Sequence, residues 1–332
     1  MSSKKVGIIG ASGYAGFELL KILEKHAGVE VKAKNAHSHA GMKISALYPE
    51  YENSEEVFSN FSIEEINKMA LDLVFLSLPS GKSLEIIPKL ENGTKIIDLG
   101  ADYRFKDLKL FEKIYGVKHK DKKIAKTAVY GLPELFRNKI KKAKLVANPG
   151  CYATSMILSA YPLAKKGLAK RIIFDCVSGY SGAGREKTSN LEYQKMIQDN
   201  FMAYNISQHR HLSEVQQFLG KKVSFTPHVF GAFSGIMCSM HAVLGKKTSA
   251  KNVLELYLKF YEKEKFVKVG KEIPDMNSTR KTNYFSIGGF EIDSSNQLIT
   301  IATEDNLVKG AAGQAVQNMN LMLGFDEAKG LL

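Results

Sequence analysis

With 332 residues, 44% of them hydrophobic and 24% charged, the chain is long enough for two domains with proper cores and has the composition of a soluble globular protein. It contains no apolar run of about 18 residues, so no membrane-spanning helix is expected, and the opening MSSKKVGIIGASG is too short and glycine-broken in its apolar part for a signal peptide. The formal net charge of +13 is densest from Arg104 to Lys144, where fourteen Lys/Arg stand against four Asp/Glu; a solvated surface, a docking face for an acidic partner or phosphorylated substrate, and a nucleic-acid footprint compete to explain it.

No RNP, KH, zinc-finger or helix-turn-helix signature accompanies the charge, so no nucleic-acid partner is expected. Cys151, Cys176 and Cys238 are few, odd in number and without CxxC spacing. Neither a disulfide scaffold nor a metal site is implied, and a reduced, cytoplasmic setting fits.

In chain order, KVGIIG reads as a short buried strand and FELLKILEKHA as an amphipathic helix. VEVKAKNA is the next strand, followed by helical SIEEINKMA, strand LDLVFLSL, helix SLEIIPKL and strand KIIDLG. Strands separated by helices of this length mean βαβ units and a parallel sheet. After the helix that follows Cys151 the texture changes. RIIFDCVSGYSGAG, KKVSFTPHVF, IMCSMHAVLG, YFSIGGFEI and QLITIAT are strands with one long intervening helix, NVLELYLKFYEKE. The expected fold class is therefore α/β: an N-terminal Rossmann-like domain and a second α+β domain on a mixed or antiparallel sheet. The boundaries expected are 1–150 for the first, completed by a C-terminal helix, 304–332, and 151–303 for the second.

The strand-to-helix turn GASGYAG carries Gly10, Gly13 and Gly16, with Ser12, Tyr14 and Ala15 between them. Glycine there lets the backbone turn sharply and approach a pyrophosphate at a helix N-terminus; a plain glycine turn is the competing reading, and the position at the head of a βαβ series favours the cofactor. Beyond the second strand, NAHSHAG has no acidic residue for a ribose hydroxyl but offers His37 and Ser38. That favours NADP(H) over NAD.

Cys151, in NPGCYATS, is either a packed core thiol, the commoner fate of a lone cysteine, or a nucleophile. Its place at a turn-to-helix junction favours thiolate, and Asn148 with the turn's amides suits an oxyanion. A base is available in ISQHRHLSEV, where His209 and His211 flank Arg210 before a helix read as capped by Ser213. His228 and His241 read as sheet histidines. The loop SGYSGAGR, with Ser181, Gly182, Gly184 and Arg185, either covers a nicotinamide or holds a phosphate, or is only a loop.

Taken together, GASGYAGFELL, DLGADYRF, YGLPEL, NPGCYAT, SGYSGAGR, HRHLSEV, FTPH and ATEDNLVKGAAGQAVQNMNLM resemble the N-acetyl-γ-glutamyl-phosphate reductase family, relatives of aspartate-semialdehyde dehydrogenase. The resemblance implies that Cys151 is acylated by an acyl phosphate and that NADPH reduces the thioester to an aldehyde, with a histidine of HRH managing protons. It places Leu78, Pro79 and Asn306 at the cofactor, and Arg104, Gly184 and Arg185 near substrate or phosphate. Ser213 and Ser234 depart from the family pattern, which has proline at the first and commonly arginine at the second. A sister group acts on acyl phosphates borne by a small acidic amino-group carrier protein, which the basic run would suit; aspartyl phosphate and a non-catalytic basic nucleotide- or nucleic-acid-binding protein are the remaining alternatives. The resemblance also implies a homo-oligomer, dimer or tetramer.

Overall fold

The structure, a computed structural model, describes residues 3–332 apart from 54 and 92. The chain divides into two compact units, residues 1–149 with 311–332 and residues 150–310.

In the first unit, β1 (Lys4–Ile9), β2 (Val29–Asn35), β3 (Leu73–Leu76), β4 (Lys95–Asp98), β5 (Val129–Tyr130) and β6 (Leu145–Ala147) form one sheet in the order β2-β1-β3-β4-β6-β5. Every pairing is parallel, as the alternation of strand and helix requires. Helix α1 (Tyr14–Glu24) buries Phe17, Leu19, Leu20 and Leu23, the stripe its apolar spacing marks out. β2 pairs on one side of β1 and β3, reached from β2, on the other, so the strand order reverses at β1. Ligands of open parallel sheets bind at the carboxyl ends of strands around such a reversal. The turns that follow β1 and β3 are GASGYAG and the segment with Leu78 and Pro79.

Short helices α2 (Ile44–Leu47), α3 (Ile63–Lys68) and α4 (Ser83–Ile86) connect the early strands, and α5 (Leu108–Tyr115), α6 (Lys122–Thr127) and α7 (Pro133–Ile140) fill the basic run. Sequence periodicity missed those last three, because at 8, 6 and 8 residues they are too short for a helical period to stand out; Asp107 and Asp121 cap the first two through backbone N–H groups. The C-terminal helix (Gly313–Leu323) packs on α1 and α7 and buries Ala315, Val316, Met319 and Met322 in the same core as Val6, Ile8 and Phe75. Its small-residue face allows that close approach.

The second unit begins with α8 (Cys151–Lys165). Strands β7 (Ala169–Gly179), β8 (Phe201–Ala203), β9 (Ser224–Phe230), β10 (Ile236–Leu244), β11 (Val267–Val269), β12 (Phe285–Ile292) and β13 (Gln297–Glu304) make a sheet in the order β11-β12-β13-β10-β7-β9-β8. Parallel β7–β9 and β11–β12 pairs sit among antiparallel ones, so the sheet is mixed, as expected. β10 alternates strictly between buried and half-buried residues. Its buried side carries Cys238 and Met240 under α8, while Met237, Ser239 and His241 look the other way. Helices α9 (Arg185–Thr188), α10 (Leu191–Ile197), α11 (Arg210–Leu219) and α12 (Ala250–Tyr261) complete the unit. Ser213 does not cap α11, contrary to the expectation from its sequence. α11 is capped by His209, whose ring accepts from the His211 N–H, so Ser213 lies inside the helix and caps nothing. Histidine at the cap went unrecognised because its ring nitrogen replaces the usual short oxygen acceptor.

Candidate active site

In the first unit, the turn after β1 uses its three glycines for three reasons. Gly10 has φ +95°, and a Cβ there would collide with the Ser77 carbonyl. A Cβ on Gly16 would strike the Gly10 carbonyl, so the helix could not approach the strand so closely. Gly13, with φ −77° as N-cap of α1, would meet nothing nearer than 3.8 Å. The packing of the protein itself therefore does not require glycine at this position. The turn is anchored from behind: the Asn35 carbonyl accepts from Gly10 N–H (2.9 Å) and Ala11 N–H (2.8 Å), and the Tyr48 hydroxyl donates to the Ser12 carbonyl at 2.9 Å. α1 starts at Tyr14 without a side-chain cap.

His37 and Ser38 are exposed on the short 3-10 turn after β2. His39, which sequence reasoning passed over in the same NAHSHAG stretch, is the residue that touches the glycine turn. Its Nδ1 lies 3.1 Å from Ser12 Oγ and 3.1 Å from Ser38 Oγ. Leu78 is half-buried and Pro79 exposed; the Leu78 side chain would lie 3.2 Å from a Cβ on Gly10. Two carboxylates of DLGADYRF hold this segment. Asp102 accepts from Gly81 N–H (2.7 and 2.9 Å) and Ser83 N–H (3.1 Å). Asp98 Oδ1 accepts from Ser83 Oγ (2.8 Å) and Gly100 N–H (2.9 Å), while its Oδ2 has no partner. Burial and the neighbouring Asp102 push Asp98 up to about 7, so near neutral pH it holds a proton on part of the molecules.

Arg104 is buried, and its donors go inward: Nε to the Asn148 carbonyl (2.7 Å) and an Nη to the Leu99 carbonyl (2.7 Å). The Asn148 side chain donates to the Ala311 carbonyl (3.0 Å) and accepts from Asn318 (3.0 Å). Both residues therefore shape the strand end that leads to Cys151.

In the second unit, Cys151 is the first residue of the 15-residue helix α8 and is partly exposed, whereas Cys176 and Cys238 are fully buried, 3.1 Å apart across β7 and β10. The thiol that sequence reading singled out is thus the accessible one. Gly150, its N-cap, donates its N–H to Glu214 Oε1 at 2.9 Å, and a Cβ on Gly150 would overlap the Nε2 edge of the His211 imidazole. Only glycine lets that ring sit against the start of α8. From the other side, a Cβ on Gly310 would lie 2.8 Å from Cys151 Cβ; Gly310 opens the C-terminal part of a π-helical turn, Val308–Ala312, a geometry that recurs at functional sites. In the sequence Glu214 stands only as a residue five positions after His209, and Gly310 only as one member of a small-residue helix face.

The two histidines have separate jobs. His209 is buried edge-on among Tyr152, Tyr204 and Phe225, with ring centroids 5.5, 5.7 and 5.4 Å away. Burial, with Arg210 beside it, lowers its pKa to about 4, which keeps the ring neutral and able to accept the His211 N–H at 3.2 Å. His211 is half-buried and faces Gly150. His228 Nδ1 donates to the Cys176 carbonyl (3.2 Å), and the ring stacks on Phe201, as a sheet histidine would.

The SGYSGAGR loop meets Asn306: Asn306 Nδ2 donates to Ser181 Oγ at 2.9 Å, and its Oδ1 accepts from Gly235 N–H at 2.8 Å. Gly182 and Gly184 are exposed, the latter with φ +84°, and Arg185 opens α9. Among the described residues no group of three or more His, Cys, Asp or Glu is placed to hold a metal ion, and no helix is long and apolar enough to cross a membrane.

Comparison with known proteins fits this division of labour. The semialdehyde dehydrogenase NAD binding domain matches residues 5–143, and the semialdehyde dehydrogenase dimerisation domain matches residues 151–306. N-acetyl-γ-glutamyl-phosphate reductase of Methanocaldococcus jannaschii is 44% identical over 335 residues, covering 99% of this chain and 98% of the relative. The chain belongs to the N-acetyl-γ-glutamyl-phosphate reductase family. Reductases of this name from Methanobrevibacter smithii and Clostridium novyi are 45% and 41% identical, each over 98% of this chain and 97% of the relative. The fold of the family member is that of aspartate semialdehyde dehydrogenase. Aspartate semialdehyde dehydrogenase II of Vibrio cholerae, complexed with ASA, superposes with a TM-score of 0.72 at 17% identity over 98% of this chain and 99% of that one. The Candida albicans enzyme with NADP gives 0.72 at 18% identity over the full length of both.

Proposed function

We propose that the chain reduces N-acetyl-γ-glutamyl phosphate to N-acetylglutamate 5-semialdehyde and phosphate, with NADPH as reductant, in arginine biosynthesis. The observation that carries the reading is the Cys151 junction: a partly exposed thiol at the start of a long helix, with His211 against its N-cap, in a chain of this family. The positive end of α8 favours a sulfur anion. As Cys151 Sγ attacks the acyl carbon, its proton passes to His211, the C–O bond to phosphate breaks, and a thioester remains on the sulfur. N–H groups at the start of α8 stabilise the oxyanion. His209 does not exchange protons in this scheme; it fixes the His211 backbone. Glu214 fixes Gly150, and so the rim on which the imidazole rests.

The glycine turn, with its open Gly13 and uncapped helix start, fits a dinucleotide, and the exposed His37 and Ser38 with His39 leave room for a 2′-phosphate that no carboxylate repels. Gly10, Ser12, Gly13, Tyr14, Ala15 and Gly16 would hold the pyrophosphate, and Leu78, Pro79, Ser181, Gly182 and Asn306 are assigned to the rest of NADP(H). When bound, the cofactor supplies the hydride that converts the thioester to aldehyde and frees the Cys151 thiolate. Gly184 and Arg185 are assigned to the substrate's phosphate, and Arg104 and Asn148 to the shape of the turn that presents it.

The exposed lysines of α5 and α6, among them Lys109, Lys113, Lys122 and Lys126, support a second reading in which the acyl group arrives on an acidic carrier protein. Turnover of free and carrier-linked acyl phosphate separates the two: the expected result is comparable or better turnover of the free substrate, insensitive to salt. A large preference for the linked form that disappears at high ionic strength would transfer the assignment to the carrier. The half-exposed sheet face with Ile173, Met237, Ile299 and Ile301 suits pairing of two copies, which sedimentation velocity would register as a dimer or larger and a monomer would refute.

A further inference from the structure

The segment between β11 and β12 carries a guanidinium that the site described so far does not use. Arg280 is half-buried. Its Nε donates to the Ser234 carbonyl (2.9 Å), one Nη to Asn277 Oδ1 (2.9 Å), and the other contacts Met276 Sδ (3.6 Å). All three partners are neutral, and among the described residues Arg280 forms no ion pair. A partly desolvated charge without a counter-ion is costly, and a guanidinium with five donors still has several to offer.

The surrounding backbone is built to hold it. Lys281 adopts φ +59°, a strained choice for a side-chain-bearing residue, and its N–H is held by Asp305 Oδ2 at 2.8 Å; Ser234 Oγ donates to the same oxygen at 3.0 Å. Gly235, at φ +109°, leaves room where a Cβ would lie 2.5 Å from Met276 Sδ and 3.1 Å from Arg280 Nε. The same Asp305 accepts at its backbone carbonyl from Gly310 N–H, 2.9 Å, and Gly310 lies against Cys151. One turn, residues 305–310, therefore carries the seat of Arg280 at one end and the wall of the nucleophile at the other.

We propose that Arg280 binds the α-carboxylate of the substrate and so selects acyl phosphates with a carboxylate four bonds from the reacting carbon. The proposal rests on the acyl-phosphate reductase reading. Its chemistry requires such a partner, because the carboxylate enters the site charged and a bidentate guanidinium is the side chain best shaped to receive it.

The test compares two aldehydes in the reverse, phosphate-dependent direction: N-acetylglutamate 5-semialdehyde and 4-acetamidobutanal, the same molecule without its carboxylate. Arg280→Gln should lose about 100-fold in kcat/KM on the first and stay within about twofold of wild type on the second, with KM for phosphate unchanged. Arg280→Lys should recover part of the loss. An equal loss on both aldehydes would mark a structural role and overturn the proposal, as would an unchanged preference or a raised KM for phosphate. Wild-type inactivity on both aldehydes would remove the reductase reading itself, and this proposal with it.

Discussion

Histidine 209 shows how one residue's environment decides its role. A ring enclosed by Tyr152, Tyr204 and Phe225 and lowered to about 4 is a poor proton carrier near neutral pH but a good neutral acceptor. The unfolded chain takes up a proton here below pH 6.5, whereas the folded chain does so only near 4. Between those values the unfolded state binds more protons, so stability falls as pH falls, by up to about 1.4 kcal/mol per pH unit from this group. His209→Asn keeps a cap acceptor but cannot charge. Urea melts from pH 7 to 4 should therefore show a shallower acid loss in the variant, and parallel curves would refute the assignment. From sequence the two histidines of HRH were indistinguishable, because adjacency in the chain says nothing about which ring faces solvent; the cap geometry separates them.

At the scale of elements, the glycine turn yields a paired expectation. Gly10→Ala places a side chain at φ +95° against the Ser77 carbonyl and should cost several kcal/mol of stability. Gly13→Ala, with open space and φ −77°, should cost about 1 kcal/mol or less, as a change of cap residue does. It should nonetheless weaken NADPH binding, followed by nucleotide fluorescence, at least about tenfold, because a methyl group would stand where the backbone meets the pyrophosphate. Unchanged affinity in Gly13→Ala would mean that the turn is only a turn. The turn's place after β1 was legible from strand and helix spacing alone. The support behind it was not, since Tyr48 reaches the Ser12 carbonyl from a distant segment and carries no motif of its own. His39 was not distinguishable from His37 and Ser38 beside it, because its contact with Ser12 is made only in the fold.

Across the whole molecule, the two architectures were readable because period-two and period-3.6 patterns differ plainly between the halves of the chain. The helices α5, α6 and α7 were missed, since each is too short to show a helical period. The family resemblance supplied substrate and direction, whereas the Cys151 junction supplies the physical reason: an accessible thiol where Cys176 and Cys238 are buried, a glycine on each side that admits a neighbour no larger residue would, and an imidazole against the cap. That junction is the central claim, and it can be tested without turnover. Mixing the enzyme with N-acetylglutamyl phosphate in the absence of NADPH, then quenching in acid, should trap an N-acetylglutamyl thioester that peptide mass spectrometry maps to Cys151 and that is missing in Cys151→Ser. An acyl group found on another residue, or full reductase activity retained by Cys151→Ser, would contradict it.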